Sequence, residues 1–126
     1  NMEDEAGTIQ ADVPMNKDID RLSLDELLLI LLGTNRLVSA EGIDADLVSV
    51  DKETETLLSG TVKEYSVLID RQARSLEHDC VDFRTNRATA RLFCKHVGAF
   101  VMQVDRPKAT RLLRELLRQR DHWIFE

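Results

Sequence analysis

The stretch ETETLLSGTVKEYSVLIDRQARSLE, residues 53–77, decides how the chain divides into elements. Within it Leu58, Val62, Tyr65, Ile69, Ala73 and Leu76 recur at spacings of 4, 3, 4, 4 and 3, the single stripe of an amphipathic helix. Asp51 is a fitting N-cap, and no proline interrupts the run. Gly60 costs about 1 kcal/mol relative to alanine in a helix interior, so the first turn is expected to fray. The spacing predicts one long helix over 53–77.

Upstream, Ser23-Leu24-Asp25-Glu26 reads as a capping box, in which the serine takes the N3 amide and the glutamate reaches back to the cap. The apolar run Leu27–Leu32 follows and Gly33 is the expected stop. This helix is apolar almost all round, so a sheet on one side and a partner subunit on the other are expected to cover it. Residues 36–50 read as two short strands, Leu37–Ala40 and Leu47–Val50, around the Gly42 turn.

Downstream, Val81–Arg84, Ala90–Lys95 and Ala99–Val104 read as three strands, with turns at Asn86-Arg87 and at His96-Val97-Gly98. Pro107 opens a last helix as its N1 residue. There Leu112, Leu113, Leu116 and Leu117 face inward, and Arg111, Arg114 and Arg118 share the opposite face. Trp123-Ile124-Phe125 ends the chain as an apolar hook. The expected order is α-ββ-α-βββ-α, an α+β fold with a five-stranded antiparallel sheet packed with helices. Residues 1–22 read as a flexible acidic arm, docked locally through Val13, Met15 and Ile19, and 23–126 as a single domain.

That order of elements resembles the roadblock / dynein light chain family. The stretch Val81–Leu117 carries most of the resemblance: a strand, Ala90–Cys94, a tight turn, Phe100–Val104, then a proline-started leucine-rich helix. It spans residues 23–118 and rests on topology and hydrophobic pattern, with Glu41-Gly42 only a loose match to the family's first turn. The resemblance implies a dimer without catalytic residues, serving as a platform for small Ras-like GTPases or motor complexes.

Composition narrows the function classes. The 126 residues are 43% hydrophobic and 32% charged, the balance of a globular domain. No apolar run approaches the roughly 18 residues of a membrane span, and no secretory h-region opens the chain. Two cysteines make no disulfide framework, which points to a reducing, cytoplasmic setting. The net charge of −6 hides an asymmetry: residues 1–83 carry 7 Lys/Arg against 19 Asp/Glu, residues 84–120 carry 10 against 2. The acidic total speaks against non-specific nucleic-acid binding.

The most distinctive local feature is His78-x-Cys80 followed by Cys94-x-His96. If the turn at Asn86 spans three residues, Cys80 faces Cys94 and His78 faces His96 across a hairpin, clustering four zinc-type ligands. A two-residue turn breaks that pairing, and the spacing matches no zinc ribbon or finger. The expectation is therefore no metal and no cofactor, with both cysteines acting as small buried hydrophobes. A Cys–His nucleophile would also need an orienting acid and an oxyanion pocket, and Asp79 and Asp82 offer only closeness in sequence. No glycine-rich phosphate loop or serine elbow is present.

The sequence thus predicts a non-catalytic, dimeric regulatory or scaffolding module that binds a protein partner. Its expected contact residues are Arg111, Arg114 and Arg118 with Leu28, Leu29 and Leu32. A nucleic-acid-associated module using the basic C-terminal helix is the alternative.

Overall fold

The computed structural model describes residues 18–126. Helix α1, Leu24–Glu41, opens on the expected capping box: the Ser23 amide donates to Glu26 Oε1 at 2.9 Å, and the Glu26 amide to Ser23 Oγ at 3.2 Å. Gly33 leaves helical geometry at the foreseen stop, with φ 77° and ψ 169°. The chain then resumes as helix, so Leu37–Ala40 belong to the second half of α1 instead of a strand. A four-residue apolar run carries no period that separates the two.

The largest correction falls on residues 53–77. They form no helix but most of an antiparallel meander: β1 Val48–Glu53, β2 Leu57–Val62, β3 Tyr65–Asp70 and β4 Ser75–His78. The misleading spacings of 4 are even numbers, so Leu58 and Val62, or Tyr65 and Ile69, also share one face of a strand. The break between β2 and β3 is a two-residue turn, Lys63-Glu64, pairing Val62 with Tyr65. Lys63 takes φ 57° there without the glycine or asparagine that usually marks such a turn. Between β3 and β4 the Asp70 carboxylate accepts the amides of Gln72 and Ala73, both at 3.0 Å.

Gly60, awkward in a helix, is required in this sheet. A Cβ there would lie 2.0 Å from the Ser49 carbonyl oxygen and 2.8 Å from the Phe100 ring. It sits where β1 bulges and where α2 crosses the strands.

The three strands expected over 81–104 are also absent. Val81–Arg84 lead into a short π-helical turn, Phe83–Arg87, and Ala99–Val104 lie in or just after helix α2, Lys95–Gln103. Val97, Phe100, Val101 and Val104, all buried, stand at i, i+3, i+4 and i+7, a helical stripe that the β-prone composition concealed. Helix α3, Arg106–Arg118, starts one residue ahead of the expected Pro107, with the Asp105 carboxylate accepting the Lys108 amide at 3.2 Å. Leu112, Leu113 and Leu116 face the core, and Leu117 packs at its edge.

The terminal hook is structural. Trp123 is fully buried, and β5, Ile124–Phe125, pairs parallel to β4. The fold class is α+β with five strands, but the sheet is mixed and ordered β1-β2-β3-β4-β5. Helix α2 lies on the strands, and α1 and α3 pack with it. The expected arm, 1–22, falls mostly outside the described residues, Val13 and Met15 included. Its last residues belong to the packed domain, since Leu22 is buried in the core and Ile19 packs against it.

Candidate metal centre

The inner end of the meander carries His78, the last residue of β4. Its backbone amide is fixed by the Glu126 carbonyl at 2.9 Å, so the C-terminal strand holds the strand end from which the histidine projects. Two residues on, the chain turns and Cys80 faces inward, its Sγ accepting the Phe83 amide at 3.4 Å. Cys94 is the N-cap of α2, its Sγ accepting the Val97 amide at 3.5 Å, and His96 follows in the first turn of that helix. One pair of ligand types thus leaves a strand end and the other enters a helix start.

The four side chains meet. One ligand atom from each of His78, Cys80, Cys94 and His96 lies within 4.8 Å of the other three, and all four residues are buried. A tetrahedral zinc with Zn–S of about 2.3 Å and Zn–N of about 2.0 Å needs ligand atoms roughly 3.3–3.8 Å apart, which small χ rotations supply. The sequence reading grouped the same residues, but through an antiparallel hairpin. In the structure Cys80 and Cys94 belong to no strand, and the π-helical turn occupies the stretch between them.

The hydrogen bonding suits a metal. His78 Nδ1 lies 2.7 Å from the Ser66 carbonyl oxygen, which makes Nδ1 the protonated nitrogen and leaves the Nε2 lone pair aimed inward. That Nε2 and His96 Nδ1 are buried and have no hydrogen-bond partner, a costly arrangement for neutral imidazoles alone. Each sulfur accepts backbone N–H, from Phe83 at Cys80 and from Val97 at Cys94, a bond that favours a thiolate. Around them stand Tyr65, with ring centroids 4.9 Å from His96, and Phe83, 5.4 Å from His78.

Electrostatics agree. Burial pushes the Cys94 thiol up to about 12, with Cys80 adding to the rise, and lowers His96 to about 4, helped by its neighbour His78. Burial also lowers His78, against the opposing pull of the Ser66 carbonyl. Without a cation the site therefore holds Cys94 as a thiol and both imidazoles neutral near pH 7. A dication reverses the preference at sulfur, because binding it releases the thiol protons.

The segment between the ligands is tied down by side chains. Arg36 of α1 makes a two-pronged pair with Asp82, both contacts 2.9 Å, and Asn86 adds a third bond to that carboxylate. The Arg36 guanidinium holds Asp82 far below the usual carboxylate range. Arg87 donates to the Phe93 carbonyl at 2.8 Å and to the Leu31 and Leu32 carbonyls at 3.1 and 3.2 Å, capping the first half of α1 where Gly33 breaks it.

The expected contact residues are placed differently. Leu28 and Leu32 are each 1% exposed and Leu29 is half-buried, so the chain itself covers the first two of these three, while Val38 farther along α1 stands exposed. The arginine stripe of α3 is engaged internally: Arg111 pairs with Glu55 at 2.7 Å, Arg118 with Asp20, and Arg114 donates to the Leu22 carbonyl at 3.0 Å. It fastens the start of the domain and the β1–β2 turn onto α3. Among the described residues no helix is long and apolar enough to cross a membrane.

Comparison with protein-family models, with curated proteins and with solved structures finds no match to this chain. The resemblance to the roadblock family rested on a strand–turn–strand unit within Val81–Leu117, and that stretch is π-helical turn and helix.

Proposed function

We propose that this domain is a non-catalytic binding module whose fold is stapled by a structural zinc ion held by His78, Cys80, Cys94 and His96. One observation carries the reading: ligand atoms of four buried residues lie within 4.8 Å of one another, and each of the two histidines has a buried ring nitrogen with no hydrogen-bond partner. Two thiolates and two imidazoles fill a tetrahedral zinc and leave no open position for water or substrate, the mark of a structural site. This replaces the metal-free expectation, and it favours binding over catalysis.

The ion joins the end of β4 to the start of α2 and closes the irregular segment between them. A regulatory or scaffolding role toward a protein partner remains the reading of choice. A small Ras-like GTPase as that partner was implied by the resemblance alone and has no residue of this chain behind it.

Native mass spectrometry of protein purified without chelator is the test. The proposal expects one zinc per chain, retained in wild type and lost in Cys80→Ser and Cys94→Ser. Metal-free protein that folds with an unfolding midpoint indifferent to added zinc would overturn it.

A further inference from the structure

Among the described residues six cations meet carboxylates: Arg36, Arg71, Arg106, Lys108, Arg111 and Arg118. Three half-buried arginines beside the irregular segment do not. Arg91 donates Nε to the Trp123 carbonyl at 2.9 Å. Arg120 donates to the carbonyls of Arg91 at 3.2 Å and Ala90 at 3.0 Å, and Arg87 donates only to carbonyls of α1 and Phe93. Neutral acceptors position these guanidiniums without cancelling their charge.

We propose that Arg87, Arg91 and Arg120 form a binding site for the phosphate group of an anionic ligand. Among the described residues both Nη groups of Arg91 and one Nη of each of the others have no hydrogen-bond partner, and the three side chains are half-buried, not enclosed. Arg91 holds φ 55°, a left-handed conformation unusual for arginine, and that backbone turns its carbonyl onto Arg120. Strained residues of this kind gather at ligand sites. Asp82 and Asp121 offset part of this charge at a distance, but the Asp82 carboxylate is bonded to Arg36 and Asn86 and neither acid pairs with Arg87, Arg91 or Arg120 among the described residues. Neighbouring guanidiniums in turn repel one another, for Arg87 is lowered by burial first and then by Arg36, while Arg91 adds to the lowering of Arg120 by burial. Guanidiniums close enough to feel one another's charge suit a dianionic phosphate better than a single carboxylate, which one fork already satisfies. The site is independent of the zinc reading, since none of its residues is a ligand.

The protein as purified, without chelator, is titrated with inorganic phosphate at constant ionic strength, following backbone amide shifts by NMR with chloride as control. Saturable shifts are expected over Ala90–Leu92 and Arg120–Trp123, with affinity about tenfold weaker in Arg91→Gln, intermediate in Arg91→Lys and unchanged in Arg111→Gln. The lysine variant keeps the charge and decides the matter if the glutamine variant fails to fold. A parallel titration with a short single-stranded oligonucleotide assigns the source: tighter binding than free phosphate places the group on a nucleic-acid backbone, and no binding places it on a small molecule. Absence of saturable shifts in both titrations, or equal affinity in wild type and both Arg91 variants, would overturn the proposal.

Discussion

The meander β1–β4 and the segment Asp79–Cys94 are neighbours along the chain and are held by opposite means. The meander is a backbone structure: its strands pair in register from Leu57↔Asp70 to Val62↔Tyr65, and the turns need only local bonds. The segment after it contains a π-helical turn and bends, so few of its backbone groups belong to a regular ladder. Side chains replace that ladder: Arg36 on Asp82, Arg87 on three carbonyls, and the four ligands at its two ends. The meander tolerates loss of one side chain as long as the backbones can meet. The segment depends on each of a few long-range contacts.

The largest expected effect breaks the comparison if it fails. Structural zinc contributes on the order of 10 kcal/mol of binding free energy in small zinc domains, as much as the whole stability of many folds. Chelation is expected to raise hydrogen exchange over 79–96 first and furthest, with β2 and β3 responding later. Exchange rising evenly across both regions would show that they do not differ as described.

Gly60→Ala strikes the meander where backbones do approach. With its Cβ 2.0 Å from the Ser49 oxygen, the change should cost about 3 kcal/mol by overpacking and loosen β1 from β2. Denaturant unfolding measures it, and a loss under about 1 kcal/mol would mean that β1 moves aside freely.

Arg87→Gln tests the segment without touching the ligands. Charge-assisted bonds are worth roughly 1.5–3 kcal/mol and unmet buried acceptors carry a further penalty, so a loss of about 2–4 kcal/mol is expected with zinc content unchanged. A neutral outcome would assign the tie to zinc alone.

Acidity sharpens the picture further. In zinc-free protein the folded state lowers His96 to about 4 against an ordinary value near 6.5, and His78 moves the same way. The unfolded chain therefore binds more protons throughout that window, so stability is present above about 6.5 and declines as pH falls toward about 4. Zinc-loaded protein should lose its metal over the same window, because protons compete for the imidazoles. Unfolding midpoints recorded against pH in both forms check this, and a zinc-free midpoint independent of pH there would remove the buried neutral histidines from the account.

The smallest effect concerns the α3 stripe. Arg111→Gln with Arg118→Gln removes exposed ion pairs, which contribute little, and the unfolding midpoint should hardly move. A large drop would mean that docking of the Asp20 and Glu55 segments supports the fold more than exposed pairs usually do.

Local chemistry made some of this legible in the residues themselves. The Ser23 box, the Gly33 stop and the Pro107 start each depend on partners within about one helical turn; the structure has the box as read, a break at Gly33 after which the helix resumes, and Pro107 second in its helix. Val97, Phe100, Val101 and Val104 also spell a helix, overlooked because β-branched and aromatic residues suggest strands. The candidate site was half legible: His78, Cys80, Cys94 and His96 stood out as residue types, while the geometry uniting them was misread.

Sequence alone determined where α1 begins and breaks, the proline-led start of α3, the α+β class and the identity of the four ligand-type residues, because each follows from side chains a few positions apart. Tertiary structure decided the rest. Only cross-strand pairing could tell two strands of Leu57–Asp70 from a helix, since a spacing of four suits both periods. Only the packed fold could show which arginines are free, because Arg111 finds Glu55 56 positions away and Arg118 finds Asp20 98 positions away. Charge pairing over such distances leaves no local pattern, which is why the stripe that looked available is engaged and the cluster around Arg91 is not.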